Sequence, residues 1–141
     1  MSKALERFSA ATRAWFQDTF AAPTAAQEQG WGAIAEAEHT LILAPTGSGK
    51  TLAAFLWCLD QLTLQPPSTD PKQRCRVLYV SPLKALAHDV ERNLKAPLVG
   101  IGLAAQRLGL PPPAPGSRTR SPRRPRPRSR AGAPSPKPST P

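Results

Sequence analysis

The stretch that decides the fold is Ala44-Pro45-Thr46-Gly47-Ser48-Gly49-Lys50-Thr51. Its glycines let the backbone turn tightly and expose N–H groups, an arrangement that suits phosphate oxygens. The Gly-Lys-Thr ending is that of a Walker A loop, in which the lysine reaches the β- and γ-phosphates and the threonine hydroxyl binds Mg²⁺. Residues 46–51 are therefore predicted to bind a nucleoside triphosphate, with Thr51 as the Mg²⁺ ligand.

The flanking residues supply the strand and the helix that such a loop requires. Residues 40–44 form a short apolar run of strand-forming residues, and Pro45 ends it. Residues 50–62 are predicted to form a helix, because five apolar side chains recur at helical spacing. These side chains are Leu52, Phe55, Leu56, Leu59 and Leu62. A phosphate-binding helix N-terminus is thus expected directly after a strand.

The remaining elements indicate an α/β fold. A second apolar run at 77–80 lacks polar alternation, which is typical of strands buried on both faces of a parallel sheet. Helices are predicted at 3–21, 24–37, 83–94 and 99–108, and Pro97 is expected to separate the last two. Thr24 is a candidate N-cap, with Gln27 completing a capping box. The fold class is predicted to be α/β, a P-loop NTPase with a parallel sheet.

Composition divides the chain into two parts. The formal net charge is +10, and residues 111–141 hold most of it, with seven Arg, one Lys and no Asp or Glu. The same 31 residues include 11 Pro and lack Val, Ile, Leu, Phe, Tyr and Trp. Such a segment cannot bury enough apolar surface to offset its ordering entropy. Residues 1–110 are therefore predicted to form the folded, ATP-binding part, and 111–141 a disordered tail.

Other features favour a cytoplasmic protein. The two cysteines, Cys58 and Cys75, lie far apart without metal-ligand spacing, so reduced thiols are expected. The first 20 residues are polar and amphipathic, unlike a signal peptide. No apolar run approaches 18 residues, so no membrane partner is predicted.

Three segments together resemble motifs of superfamily 2 (DEAD/DEAH-like) helicases. Residues 23–27, Pro-Thr-Ala-Ala-Gln, look like the Q motif, 46–51 like motif I, and 81–86, Ser-Pro-Leu-Lys-Ala-Leu, like motif Ia. Ala44 replaces the usual first glycine of the loop, as it does in these helicases. The amino-acid sequences of 23–31 and 79–94 resemble the large helicase-related (Lhr) family more closely still. The resemblance covers residues 5–110.

The resemblance implies a role for several residues. The fold would be the first RecA-like motor domain of an ATP-dependent helicase, with ATP and Mg²⁺ as cofactors. Gln27 would read the adenine edge, although a residue at this position can also bond the backbone at a helix N-terminus. The motif Ia loop would hold a nucleic-acid strand, DNA rather than RNA. Its residues are Ser81, Pro82, Leu83 and Lys84. As alternatives, Ser81 would merely cap the next helix and Lys84 would be a solvated lysine.

The same resemblance sets a requirement for hydrolysis. The family carries an Asp-Glu-x-His-type motif after motif Ia, and its acids hold Mg²⁺ and position water. In this chain the last acidic residues, Asp89 and Glu91, lie on the predicted motif Ia helix itself. We therefore expect an N-terminal helicase portion with a truncated first motor domain, marginally stable and without ATPase activity on its own.

The tail has two interpretations. Its Pro, Arg, Ser, Ala and Gly residues share GC-rich codons, which favours out-of-frame translation of a GC-rich gene. Alternatively it is a genuine basic segment, whose seven arginines between Arg118 and Arg130 contact phosphates with strong salt dependence. The second interpretation makes the chain a non-catalytic, basic nucleic-acid-binding protein.

Overall fold

Four α-helices form the framework of the described part of the chain, residues 2–111. The computed structural model describes residues 2–111. Its helices are α1 (Ala10–Thr19), α2 (Ala25–Ala35), α3 (Lys50–Leu64) and α4 (Lys84–Arg107). Two short 3₁₀ helices, Leu5–Arg7 and Pro71–Gln73, precede α1 and α4. The predicted tail lies outside the described residues, apart from Pro111.

The first two helices begin at side-chain caps. The Ser9 hydroxyl accepts a hydrogen bond from the backbone N–H of Thr12, so the helix predicted over 3–21 is divided before Ala10. Thr24 and Gln27 form the predicted capping box at the start of α2. Each cap satisfies N–H groups that a helix N-terminus leaves unpaired.

Helix α4 corrects one prediction, because it runs unbroken through Pro97 where two helices were expected. A proline inside a helix removes one backbone hydrogen bond and typically costs about 3 kcal/mol. Pro97 is buried, and so are Leu94 and Ile101 on either side of it. Gly100 packs directly against the Trp15 ring, where a Cβ would collide with the indole. Close packing of α4 on α1 thus offsets the missing hydrogen bond.

The core is built mainly from aromatic side chains of the N-terminal helices. Trp31 is fully buried and meets Phe8 and Phe16 edge-on, with ring centroids 5.0 and 5.4 Å apart. Trp15 and Trp57 pack against this cluster as partly buried residues. The three tryptophans are therefore packing residues. Leu56 of α3 and Ile101 of α4 complete the contact between helices.

The two predicted strands are extended, but neither is paired within the described residues. Segment 40–44 and segment 76–80, which includes the predicted strand 77–80, contain no strand or bridge and make no backbone–backbone hydrogen bonds in residues 2–111. A strand needs a neighbour to satisfy its N–H and C=O groups. The predicted parallel sheet is therefore not confirmed by this structure.

The side chains of these segments nevertheless alternate between two faces. Ile42 is half-buried and lies against α2, where a Cβ on Gly30 would come within 3.1 Å of it. Tyr79 contacts the Phe55 ring of α3 with centroids 5.3 Å apart. Outward-facing neighbours are highly exposed, with Leu43 at 84% and Leu78 at 79%. The segments thus have one face on the helices and one apolar face open.

Candidate functional site

The predicted phosphate loop joins segment 40–44 to α3. Gly47 and Gly49 have φ angles of +83° and +79°, a left-handed conformation that residues with a Cβ adopt at a cost. Gly49 is also the N-cap of α3, so Lys50 is the first residue of that helix. The two glycines therefore make the turn by which the chain enters α3.

The loop presents unpaired amide groups at the positive end of this helix. The backbone N–H groups of Gly49, Lys50 and Thr51 donate to no backbone or side-chain acceptor within residues 2–111. Successive free N–H groups at a helix N-terminus favour an anion, because the peptide dipoles place partial positive charge there. This geometry suits phosphate oxygens.

The ammonium group of Lys50 stays over the loop. It donates hydrogen bonds to the carbonyl oxygens of Ala44 and Pro45, over distances of 2.6 and 2.5 Å. These contacts fold the Lys50 side chain back towards Ala44 and Pro45, the residues at the start of the loop. The positive charge is therefore held on the loop that carries the free amides, and it adds to the attraction of the loop for an anion.

The other loop hydroxyls differ in exposure. The Ser48 hydroxyl is buried and has no hydrogen-bond partner in the described part of the chain. Buried polar atoms are usually paired, so this oxygen is available for a ligand oxygen or water. Thr46 and Thr51 are exposed, and Thr51 lies in the first turn of α3 next to Lys50. The residues present thus fit a Mg-nucleotide, with Thr51 as the predicted Mg²⁺ ligand.

Two carbonyl groups of the loop are held from α2. The Thr24 hydroxyl donates to the carbonyl oxygen of Ser48 at 2.8 Å, and the Gln27 Nε2 amide donates to that of Gly49 at 3.4 Å. With these carbonyls turned towards α2, the loop conformation is tied to the capping box. The sequence predicted the capping box but not its contact with the loop, because the 24-residue separation leaves no local signal.

The same contacts define the environment of Gln27. Its Oε1 accepts from the Thr24 backbone N–H at 3.0 Å, and its side chain fills the space where a Cβ on Gly49 would stand. Gln27 is only 4% exposed. Its amide is therefore engaged with the backbone, as in the alternative that the sequence left open. The adenine contact stays a prediction.

The predicted nucleic-acid residues lie apart from the loop. Ser81, Pro82, Leu83 and Lys84 connect segment 76–80 to α4, and Ser81 is half-buried while the other three are exposed. The Ser81 hydroxyl donates to the carbonyl oxygen of Leu83 at 3.2 Å, two residues along the chain. Leu83 is the N-cap position of α4 and makes no side-chain cap, so Ser81 does not cap the helix. No hydrogen bond in residues 2–111 joins this turn to the phosphate loop.

Within residues 2–111, no three His, Cys, Asp or Glu side chains come together as they would around a metal ion. Both cysteines in this range are free thiols, and burial raises the pKa of Cys58. None of the helices in the same range combines the length and apolar character needed to cross a bilayer.

Residues 24–118 match the model of the DEAD/DEAH box helicase family. The chain belongs to this family. The matched region contains the phosphate loop, the capping box that holds it and the turn before α4. It extends beyond residue 110, where the resemblance noted from the sequence ended.

Individual relatives of this helicase family confirm the predicted resemblance to Lhr proteins. The chain is 63% identical over 107 residues to a Lhr helicase/probable uracil glycosylase of Mycolicibacterium smegmatis, covering 76% of this chain and 7% of that protein. It is 50% identical over 106 residues to the Lhr helicase/uracil glycosylase of Escherichia coli, covering 72% and 7%. An ATP-dependent helicase Lhr-Core of Methanocaldococcus jannaschii is 42% identical over 96 residues, covering 68% and 11%. The chain thus spans a small fraction of these helicases.

A solved helicase shares the fold. The structure of Mycobacterium smegmatis helicase Lhr bound to ssDNA and AMP-PNP matches with a TM-score of 0.70 and 58% identity. The match covers 79% of this chain and 14% of the other. Together with the family match, this likeness identifies a RecA-like P-loop fold. Helicases of this family use ATP and act on nucleic acids, which agrees with the cofactor and partner expected from the sequence.

Proposed function

We propose that this chain binds Mg-ATP at residues 46–51 and a nucleic-acid strand at 81–84, as the first part of a helicase motor. The observation that carries the proposal is the loop itself. Three free amides lie at the N-terminus of α3, and the same loop carries the Lys50 ammonium. A triphosphate is the ligand whose charge and oxygen spacing suit such a group.

Each residue of the loop has a distinct task in this proposal. The amides of Gly49, Lys50 and Thr51 donate to phosphate oxygens, and the Lys50 ammonium adds a charged hydrogen bond. The Ser48 hydroxyl, buried without a partner, donates to a further phosphate oxygen. The Thr51 hydroxyl binds Mg²⁺. The metal, when bound, neutralises phosphate charge during phosphoryl transfer.

We infer that the chain on its own binds ATP without hydrolysing it at a useful rate. The last acidic residues of the sequence are Asp89 and Glu91. Glu91 faces Lys95 on α4, with 3.8 Å between the carboxylate oxygen and the ammonium nitrogen. Neither acid bonds to the loop within residues 2–111. Without an acid to hold the metal and orient water, phosphoryl transfer loses several kcal/mol of stabilisation, so the rate falls by orders of magnitude.

The first experiment measures ATP binding by calorimetry in the presence of Mg²⁺. We expect saturable, one-to-one binding by the 141-residue chain, and at least a tenfold weaker affinity for Lys50→Ala, because a charged hydrogen bond is worth roughly 1.5–3 kcal/mol. Equal affinities for the two proteins would refute the proposed site. Phosphate release above that of Lys50→Ala would refute the absence of hydrolysis.

Gln27→Ala separates two roles for this residue in the same assay. If Gln27 reads adenine, the variant loses its preference for ATP over GTP. If Gln27 positions the loop through Gly49, the variant binds both nucleotides more weakly and keeps the preference. The contact at Gly49 and the 4% exposure of Gln27 favour the second result.

Nucleic-acid binding is tested by fluorescence anisotropy with single-stranded DNA and RNA of one sequence. We propose DNA, because the solved relative is a Lhr helicase bound to ssDNA. Lys84→Ala should lower the slope of log affinity against log salt by about one, the amount expected for a lost phosphate contact. If Lys84→Ala leaves the slope unchanged and the double variant Arg123→Ala/Arg124→Ala loses much of its nucleic-acid affinity, the basic tail is the binding segment instead. The cytoplasmic location stays a prediction.

A further inference from the structure

Asp60 of α3 is a buried carboxylate that the proposed nucleotide site does not use. It is fully buried, and its oxygens accept four hydrogen bonds from the N-terminus of α1. The Ser9 backbone N–H donates to both oxygens, at 3.1 and 3.4 Å, while the Ser9 and Thr12 hydroxyls donate to Oδ1 at 2.6 Å each. Ser9 and Thr12 lie 51 and 48 residues away in sequence. The carboxylate therefore joins the phosphate-binding helix to α1.

An apolar residue would be the simpler choice at this position. Burying a carboxylate costs free energy that its hydrogen bonds only partly return, and apolar replacements of buried charges are often neutral or stabilising. Overall stability alone therefore does not explain an aspartate here. A buried polar group with fixed partners can instead specify one arrangement among several that are similar in energy.

The apolar sequence of the rest of α3 is compatible with more than one rotation of this helix about its axis. Residues 52–59 are Leu-Ala-Ala-Phe-Leu-Trp-Cys-Leu, eight consecutive residues without a charged side chain. A helix that is apolar on all sides can bury more than one face, because hydrophobic contact is non-directional. Asp60 directly follows this run, and its carboxylate reaches the donors of Ser9 and Thr12 in only one rotation of the helix.

The rotation of α3 also decides where the nucleotide-binding side chains point. Lys50 and Thr51 lie in the first turn of the same helix, and Lys50 is ten residues from Asp60, or about 15 Å along the axis. A slip of one residue would turn every side chain by about 100° about the helix axis. Such a rotation would move the Lys50 ammonium away from Ala44 and Pro45, whose carbonyl groups now accept from it.

We propose that Asp60 is a positioning residue that fixes the rotation of α3 through Ser9 and Thr12, and thereby aims the Lys50 and Thr51 side chains at the phosphates of the nucleotide. The inference rests on the proposed nucleotide function for its effect on ligand binding. The rotation itself is independent of any ligand. The two parts are therefore tested by two measurements.

The test compares Asp60→Leu and Thr12→Val with Thr12→Ser, all in the 141-residue chain. Thr12→Val keeps the shape of the side chain and removes one hydroxyl donor to Asp60, while Thr12→Ser keeps that donor. Each variant is first checked for a native circular dichroism spectrum. Mg-ATP affinity is then measured by calorimetry, and the rate of Cys58 alkylation reports the rotation, because this thiol is half-buried on α3.

We expect folded Asp60→Leu to bind Mg-ATP roughly tenfold or more weakly, since small misplacements of binding groups have effects of this size. The Cys58 alkylation rate should change in parallel, and Thr12→Val should shift both readouts in the same direction. Thr12→Ser should match the parent chain. If Asp60→Leu does not fold, the comparison of Thr12→Val with Thr12→Ser tests the proposal. Equal Mg-ATP affinities and equal Cys58 alkylation rates for these two variants would overturn it.

The proposed function and this inference fail in different ways. If the parent chain and Lys50→Ala both show no Mg-ATP binding, the nucleotide function fails, and the Cys58 rates still test the rotation. If the parent binds Mg-ATP and folded Asp60→Leu binds it equally well with an unchanged Cys58 rate, Asp60 has no positioning role. A changed Cys58 rate with unchanged affinity also overturns the proposal, because rotation would then not aim the binding groups.

Discussion

The helices of this chain and its two extended segments contain similarly apolar residues but reach different states. In the helices, Trp31, Phe16 and Leu56 are buried with hardly any exposed surface. In segments 40–44 and 76–80, Leu41, Leu43, Leu78 and Val80 are about four-fifths exposed. A helix satisfies its backbone groups internally, whereas a strand depends on neighbours from elsewhere in the fold. Apolar character alone therefore does not produce burial.

The phosphate loop lies at the boundary between these two regions. Segment 40–44 enters it, and α3 leaves it. Its observed contacts come from the helical side, through Thr24, Gln27 and the N-cap position of Gly49. The loop conformation is therefore set by helices although a strand is expected to precede it.

The largest effect should follow a substitution in the helical core. Trp31→Ala removes a fully buried ring that contacts Phe8 and Phe16, and it should lower the free energy of unfolding by about 3–5 kcal/mol. Urea denaturation followed by circular dichroism measures this change. Leu43→Ala is the matched control in the extended region, and we expect a change within about 0.5 kcal/mol. Similar losses for both variants would mean that the extended segments are as well packed as the helices.

An intermediate effect is expected on self-association. An apolar strand with unpaired backbone groups pairs readily with another chain, and a lysine at its edge opposes this. Leu78→Lys should therefore reduce aggregation, measured by light scattering against protein concentration. Leu103→Lys provides the comparison, because Leu103 is also exposed but belongs to α4, whose backbone is already bonded. Equal reductions would show that exposed apolar side chains, rather than unpaired backbone groups, drive association.

The smallest effect concerns the two thiols, one in each region. Burial on α3 raises the pKa of Cys58, while Cys75 is exposed just before segment 76–80. The thiolate is the reactive form, so near pH 8 iodoacetamide should label Cys75 first. Folding raises the pKa of the Cys58 thiol, so this thiol ionises at lower pH in the unfolded chain than in the folded one. Its contribution to the free energy of unfolding is therefore present at neutral pH and is lost as the pH rises into the alkaline range. Mass spectrometry of single-cysteine variants measures both rates, and faster labelling of Cys58 would contradict the comparison.

Local patterns were sufficient for several elements. Thr24 and Gln27 predicted the start of α2, and the Gly-Ser-Gly-Lys-Thr run predicted the tight glycine turn at the start of α3. These features depend on residues within four or five positions of one another, so a sequence reveals them directly. The predicted break at Pro97 was wrong, because the local cost of a proline was outweighed by packing of α4 on α1.

By itself, the sequence determined the phosphate loop, the capping box of α2 and the family resemblance, since each resides in a short run of residue types. Only the tertiary structure decided that Thr24 and Gln27 hold the Ser48 and Gly49 carbonyls, and that Asp60 reaches Ser9 and Thr12. It also decided that segments 40–44 and 76–80 remain unpaired within the described residues. The physical reason is the same throughout. Helix caps and glycine turns are made by neighbours in the chain, whereas strand pairing and buried polar contacts need partners distant in sequence.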